Sequence, residues 1–397
     1  MSILETGASS EDLMPLSNVG GLKHLHLELG YDRITSVGQQ LIRNSMTTLK
    51  SLAMISNSGY YHFFQDWSKT PSSDHQSIFS SLRSLHISGT LIDQEYIDVF
   101  RQVIDFARLH KLEFGYVRDD DTRLWRFLAD LVTSYRTLKT DLSLRDLSID
   151  MYDNYFPRSV SAEMAQFVGK CAFIASFDTL TTLNLLSYGQ YDPKDNPINP
   201  GLSQDLLHAI LQHKNLRTLR ISYNGKISGL DIPYLSAKTV GDIVDGLPSL
   251  REFEFAPDEL QIDHISRALC RGKYLESIRC FPFASWGTFA PSEVDGQSII
   301  TSILSAFMLK ADIGDNEEFV WEDYSRLKQL ATSNVKYDIA SKFEKPKRGQ
   351  VKPMKVEVHV GDKPREVWYR AVPSVNYIHI GYDPTFDWVS KVEKDLD

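Results

Sequence analysis

The chain has 397 residues and a formal net charge of −9, with 42% hydrophobic and 24% charged residues, the composition of an ordinary soluble globular protein. Three cysteines are too few for a disulfide scaffold and fit a reducing compartment. The negative charge argues against a general nucleic-acid binder, and no run approaches the ~20 apolar residues that span a bilayer. We therefore expect a cytoplasmic or nuclear protein that binds neither membranes nor nucleic acids.

The motif L-x-x-L-x-L, with other apolar residues at some positions, recurs nine times along the chain. The nine units start 25 to 36 residues apart, at Leu22, Leu49, Leu82, Leu109, Leu144, Leu180, Leu216, Leu250 and Leu275. A regular period in this range is typical of a solenoid, in which each strand-plus-helix unit buries its apolar side against its neighbours. Because solenoids generally present a long surface to a partner, the pattern favours binding over catalysis.

Each unit carries signals for a strand followed by a helix. Apolar residues alternate with other residues in the motif, as in Leu-Asn-Leu at 183–185, which predicts a strand with one apolar face. Helical spacing in the intervals predicts helices, one of them beginning near Asp93. Ser161, Ser203 and Asp263 stand where helix N-caps are expected.

The region after the repeats has a different character. Residues 296–310 predict an apolar helix, and residues 320–341 predict a second one. Further on, 356–369 predicts a hairpin and 375–380 a third strand, which either fold independently or pack back on the solenoid. We divide the chain into a lead-in over 1–21, a nine-unit solenoid over 22–295, a helical C-terminal cap over 296–341, a basic linker over 342–355 and a small β-hairpin appendage over 356–397.

The repeats resemble the leucine-rich-repeat superfamily, in its ribonuclease-inhibitor-like class. Segments such as GLKHLHLELG, SSLRSLHISGT and KNLRTLRISYNG are similar to the degenerate repeats of fungal F-box/leucine-rich-repeat proteins. The resemblance implies an α/β solenoid with parallel strands on the concave face and helices outside. It also implies substrate recognition in an SCF-type ubiquitin ligase.

Two departures from the family limit what the resemblance implies. The Asn or Cys that often follows the last leucine is mostly missing, with Asn224 the one convincing instance. No F-box is recognisable in the residues before Leu22, so adaptor binding is not carried over to any residue here. A binding partner of the adaptor type is expected only if Met1 is not the true start and an F-box lies upstream.

Tyrosines recur shortly after several strands, with aspartates beside them, and stacked repeats would align them along one rim. We predict that this tyrosine-and-acid rim, together with charged residues of the concave face, binds a basic peptide or a protein with a basic patch. The alternative is that the tyrosines pack on neighbouring loops and the acids are solvated. The candidate residues are Tyr116, Asp119, Asp120, Asp150, Tyr152, Asp153, Tyr188, Tyr191, Arg220, Tyr223, Glu252 and Glu254.

We expect no catalytic residue, cofactor or metal site. His24 and His26 would lie about 10 Å from His86, two strands away, which is too far for a shared zinc ion. The basic stretch Lys342–Lys355 reads as a solvated linker in preference to a nuclear-targeting or phosphate-contacting segment. The expected function is a non-catalytic protein-interaction module. The alternatives are a stand-alone scaffold with no ligase link and, least favoured, an enzyme with its activity in the C-terminal segment.

Overall fold

The computed structural model describes residues 2–5, 16, 18–29, 36–56, 79–119, 122–151, 160–186, 202–224, 234–280, 283–284, 296–313, 319–332, 335–346, 351–360 and 363–372. Over these residues the chain is an α/β protein whose strands are mostly parallel to their neighbours. It divides into two compact units, Met1–Thr181 and Thr182–Asp397. No helix among the described residues is long and apolar enough to cross a membrane.

The first unit repeats strand and helix in a regular order. Its strands pair in chain order, each parallel to the next, and are β1 (Ser2–Glu5), β2 (His24–Leu29), β3 (Ser51–Ser56), β4 (Ser84–Ile92), β5 (Lys111–Asp119) and β6 (Asp146–Asp150). Its helices are α1 (Ser36–Ser45), α2 (Gln94–Val103), α3 (Arg123–Thr137) and α4 (Val160–Ala175). The register places equivalent motif positions side by side, so that Leu25 lies opposite Leu52 and Leu52 opposite Leu85.

The second unit begins in the same way and ends differently. Its strands are β7 (Thr182–Leu186), β8 (Thr218–Ile221), β9 (Tyr223–Asn224), β10 (Glu252–Phe255), β11 (Ser277–Cys280), β12 (Phe283–Ala284), β13 (Gln329–Thr332), β14 (Val335–Ala340), β15 (Met354–Val360) and β16 (Lys363–Ala371). Its helices are α5 (Gln204–Leu211), α6 (Ala237–Gly246), α7 (Ile262–Leu269), α8 (Gly296–Lys310) and α9 (Trp321–Tyr324).

Parallel and antiparallel strands meet within the sheet of the second unit. The order β7-β8-β10-β11-β13 is parallel, and β13-β14-β16-β15 continues it with antiparallel pairs. A separate two-stranded parallel sheet joins β9 to β12. The parallel parts of both units are compatible with a solenoid, in which repeated strands stack in chain order.

Each of the nine sequence motifs forms a strand, as predicted: β2 to β8, β10 and β11. The apolar positions of the motifs are buried, apart from the half-buried Leu22, because alternate residues of a strand point to the same face of the sheet. Leu25, Leu52, Leu85 and Leu183, for example, have no exposed surface. The apolar face of these repeats therefore forms the core, and the polar positions between the leucines lie on the opposite face.

Two of the four helix starts marked in the sequence are confirmed. The side chains of Asp93 and Ser203 accept hydrogen bonds from first-turn backbone N–H groups at 2.8 and 3.2 Å, so both residues are N-caps. The predictions for Ser161 and Asp263 are wrong, because α4 and α7 begin one residue earlier and include them.

The prediction of a single helix over 320–341 is wrong. Only its first turn is helical, as α9, and the backbone becomes extended at Ser325, with φ −140° and ψ 140°. The rest forms β13 and β14, since the N–H groups of Lys328 and Gln329 both donate to the carbonyl of Glu276, at 2.9 and 3.1 Å. Pairing with β11 therefore replaces the intrahelical hydrogen bonds that the periodicity predicted.

The C-terminal hairpin is confirmed, and it belongs to the sheet of the second unit. Strands β15 and β16 pair with each other, and β16 also pairs with β14. The buried guanidinium of Arg365 donates to the carbonyls of Met308 and Ala311, the latter at 2.8 Å, at the C-terminal end of α8. The hairpin thus packs against β14 and α8, which follow the repeats. The predicted third strand over 375–380 lies outside the described residues.

One glycine allows β3 and β4 to approach each other closely. Gly89 in β4 has φ +69°, and a Cβ atom there would lie 1.7 Å from the carbonyl oxygen of Ser56, in β3. Gly21 has nearly the same conformation, with φ +70°, but a Cβ atom there would meet nothing within 4 Å. Only the first position therefore combines an unfavourable backbone conformation with a steric block.

The three cysteines should differ in reactivity. Cys171 and Cys280 are buried, and burial raises the pKa of the Cys280 thiol to about 12. Burial also raises the pKa of the partly exposed Cys270, although Lys310 and Arg271 oppose the shift. Because the thiolate is the reactive form, we expect iodoacetamide at about pH 8 to label Cys270 slowly and the other two only after unfolding. Mass spectrometry of the alkylated peptides tests this, and rapid labelling of Cys280 in the folded protein would contradict it.

Candidate partner-binding surface

The register of the second unit gathers charged side chains from three neighbouring strands on the polar face of its sheet. Arg220 of β8 lies opposite Glu254 of β10, and Glu254 lies opposite Arg279 of β11. Glu252, two residues before Glu254, projects on the same face. Arg220, Glu252, Glu254 and Arg279 are called the charged cluster below. Since a rigid parallel ladder positions all four, their backbone spacing does not depend on a loop.

Glu254 occupies the centre of the charged cluster. Its Oε2 atom lies 3.8 Å from Nε of Arg220 and 3.8 Å from Nη1 of Arg279. Its Oε1 atom accepts a hydrogen bond from the Ser222 hydroxyl at 3.2 Å. Nη2 of Arg220 also donates to Oε2 of Glu252 at 3.2 Å. Opposite charges therefore alternate across the three strands.

Two members of the charged cluster remain accessible to a partner. The side chains of Glu252 and Arg279 are 47% and 42% exposed, whereas that of Glu254 is 14% exposed. A guanidinium has five N–H donors. Within the described residues the guanidinium of Arg279 has one polar contact, the 3.8 Å approach to Glu254. Its Nε atom is buried, and the rest of this partly exposed guanidinium is open to a partner.

The structure brings together three of the predicted site residues, Arg220, Glu252 and Glu254. It adds Arg279, which was not among the candidates. The signal for Arg279 was present in the sequence, because it stands four residues after Leu275, just as Glu254 stands four residues after Leu250. Equal offsets in successive repeats become neighbours in the sheet.

The other predicted residues comprise Asp150 and two groups whose side chains are not described. Asp150 is only 5% exposed, and the Lys170 ammonium donates to its backbone carbonyl at 2.8 Å, so Asp150 does not lie on an exposed rim. The remaining candidates lie on strands whose side chains at these positions are not described, or outside the described residues altogether. The residues on strands with undescribed side chains are Tyr116, Asp119 and Tyr223. The residues outside the described part are Asp120, Tyr152, Asp153, Tyr188 and Tyr191.

The polar face of the first unit is less accessible than an open concave surface would be. His26, His86 and Glu113 are at most 4% exposed. Nε2 of His86 lies 3.8 Å from Oε1 of Glu113, and Nζ of Lys111 lies 3.8 Å from Oε2 of the same carboxylate. His26, His86 and Glu113 are thus interior polar groups in this structure.

Metal ligands and cavities were the other features that could form a site in the described residues. No group of three or more His, Cys, Asp and Glu side chains among them is arranged to hold a metal ion. A cavity of about 20 Å³ lies against α3 of the first unit and is lined by apolar side chains that include Leu112, Leu128 and Val132. A cavity of this size and lining has room for about one water molecule and few polar partners for it.

The chain was compared with protein-family models and with curated proteins. No family model and no curated protein matches it.

Proposed function

We propose that this chain is a non-catalytic protein-binding module of the leucine-rich-repeat type, and that the charged cluster contacts its partner. The observation that carries the proposal is the pair of exposed, oppositely charged side chains, Glu252 and Arg279, on adjacent rigid strands. Complementary charges across an interface favour correct partners and accelerate association. Arginine is also enriched at interfaces and at their energetic centres.

The geometry of the charged cluster favours recognition over acid–base chemistry. Two arginines balance the negative charge of Glu254, and Glu252 is half exposed on a strand. A catalytic carboxylate normally needs an enclosed or apolar setting that shifts its pKa. Preformed charges on an open sheet instead lower the ordering cost of binding a protein surface.

A more specific form of the proposal is substrate recognition in an SCF-type ubiquitin ligase, in the cytoplasm or nucleus. The resemblance of the repeats to those of F-box/leucine-rich-repeat proteins supports it, together with the nine strands that the motifs form. The alternative is a stand-alone scaffold with no ligase link. Binding of a partner with a basic patch to the tyrosine-and-acid rim stays a prediction, because most residues of this rim lie outside the described part.

A matched pair of double variants tests the proposal. Glu252→Ala/Arg279→Ala removes the two accessible charges of the charged cluster and leaves the net charge unchanged. Arg271→Ala/Asp245→Ala is the control, because it removes a 3.0 Å ion pair of similar exposure that joins α6 to the residues after α7. Each variant is tagged and expressed in the native cells, and co-purifying proteins are compared by quantitative mass spectrometry.

We expect a specific partner to be depleted with the charged-cluster variant and retained with the control. Recovery of a cullin-type scaffold and its adaptor with the wild type would support the ligase form, and a single abundant partner without them would support the scaffold. Identical partner profiles for all three proteins, with unchanged thermal unfolding, would overturn the role of the charged cluster.

A further inference from the structure

A second regularity lies at the start of the strands of the first unit. The residue immediately before each of β2 to β6 is basic or a histidine. It is the second residue of the repeated motif in every case. These residues are called the basic ladder below and are Lys23, Lys50, Arg83, His110 and Arg145.

Backbone hydrogen bonds hold the basic ladder in place. The N–H of Lys50 donates to the carbonyl of Lys23 at 2.7 Å, and the N–H of Arg83 donates to the carbonyl of Lys50 at 2.8 Å. His110 and Arg145 continue the series at 2.7 and 2.9 Å. The backbones of successive members are thus one strand spacing apart, about 4.8 Å, and form a row about 19 Å long.

The cations of the basic ladder have no acidic partner among the described residues. Arg83 and Arg145 instead donate to the carbonyls of the leucines that precede them, at 3.0 and 3.1 Å. Lys23, His110 and Arg145 are exposed, and Lys50 and Arg83 are half-buried. Four full positive charges at close spacing repel one another, and an anionic partner would relieve this repulsion.

At the equivalent positions of the second unit, an acidic residue stands among the basic ones. There the row contains Arg217, Arg251, Glu276 and Lys328, which precede β8, β10, β11 and β13. The Glu276 carboxylate lies 3.4 Å from Nη1 of Arg251 and 3.6 Å from Nζ of Lys328. One acid of this row thus pairs with two of its cations. The basic ladder of the first unit lacks such an acid among the described residues.

We propose that the basic ladder binds an extended acidic segment of a protein partner. A row of about 19 Å matches about six residues of extended chain. A single-stranded nucleic acid fits less well, since its binding channels combine basic residues with aromatic stacking platforms. The residues that flank the basic ladder on either side include no Phe, Tyr or Trp. This surface lies in the first unit and is independent of the charged cluster and its proposed role.

The test uses the full chain and a fluorescein-labelled decaglutamate peptide, with binding followed by fluorescence anisotropy. The ladder variant is Lys50→Glu/Arg83→Glu. The control is Arg126→Glu/Arg136→Glu, which makes the same charge change at exposed positions of α3. Lys50→Gln/Arg83→Gln removes the charges without reversing them, in case the reversed variant fails to fold.

We expect the wild-type protein to bind the peptide with an affinity that falls as salt is added. The ladder variants should weaken binding by about tenfold or more, and the control by no more than about twofold. Equal weakening by ladder and control variants would reduce the effect to overall charge and overturn the proposal. So would the absence of wild-type binding at low salt, or tighter, ladder-dependent binding of an oligothymidine of equal charge.

Discussion

Gly89→Ala is expected to destabilise the first unit by about 2–5 kcal/mol or to prevent its folding. A left-handed backbone costs a non-glycine residue about 1–2 kcal/mol, and forcing an atom into packed structure adds about 1–3 kcal/mol. Here the new methyl group would meet the Ser56 carbonyl at 1.7 Å, so β3 and β4 must separate. Urea titration followed by circular dichroism measures the loss.

Gly21→Ala is the matched control for this substitution. The two glycines have φ values of +70° and +69°, but only Gly89 faces a steric block. We expect Gly21→Ala to cost about 1–2 kcal/mol, the conformational part alone. Equal losses in the two variants would mean that backbone conformation, and not the approach of β3 to β4, makes Gly89 necessary.

Arg365→Met is expected to destabilise the second unit by about 2–3 kcal/mol, because hydrogen bonds from a charged donor contribute about 1.5–3 kcal/mol. The guanidinium caps carbonyls at the C-terminal end of α8, where a positive charge also interacts favourably with the helix dipole. Methionine keeps much of the buried aliphatic volume and removes the donors. Thermal and urea unfolding measure the change.

Two further variants separate capping from charge. Arg365→Lys keeps the charge with a shorter reach, and we expect an intermediate loss. Lys363→Met removes an exposed charge from the same strand and should change stability by less than about 0.5 kcal/mol. A loss for Lys363→Met as large as that for Arg365→Met would contradict the capping role.

The strands were the part of the fold most accessible from sequence. Each motif places three apolar residues at fixed offsets, and a strand is the conformation that puts Leu183 and Leu185 on one face. Repetition strengthened the prediction, since any one instance is short. The N-cap at Ser203 was also predictable, because its hydroxyl acts within three residues.

The region after the repeats was less predictable, because its structure depends on distant partners. Trp321, Tyr324 and Leu327 have helical spacing, yet β11 offers backbone hydrogen bonds that extend the chain after Ser325. The local spacing of apolar residues contains no information about β11, which lies some 50 residues earlier and pairs with β13. Tertiary pairing therefore overrides a local preference here.

The candidate site was predictable in its residue types but not in its contacts. Glu252 and Glu254 are visibly paired in the sequence, but their arginine partners come from β8 and β11. Only the register of the sheet shows that Arg220 and Arg279 flank the same carboxylate. The buried state of His86 and Glu113 depends in the same way on structure beyond their own strands.

The antiparallel end of the second unit has a consequence for how separate molecules behave at high concentration. A repeat array that stopped at a parallel strand would offer its edge as a template for another copy, and fibres could grow from it. Instead the described sheet ends at β15, whose exposed residues Lys355, Glu357 and His359 carry charged or ionisable groups. Such an edge disfavours addition of an apolar strand. Growth of the sheet by addition of another copy at β15 is therefore disfavoured.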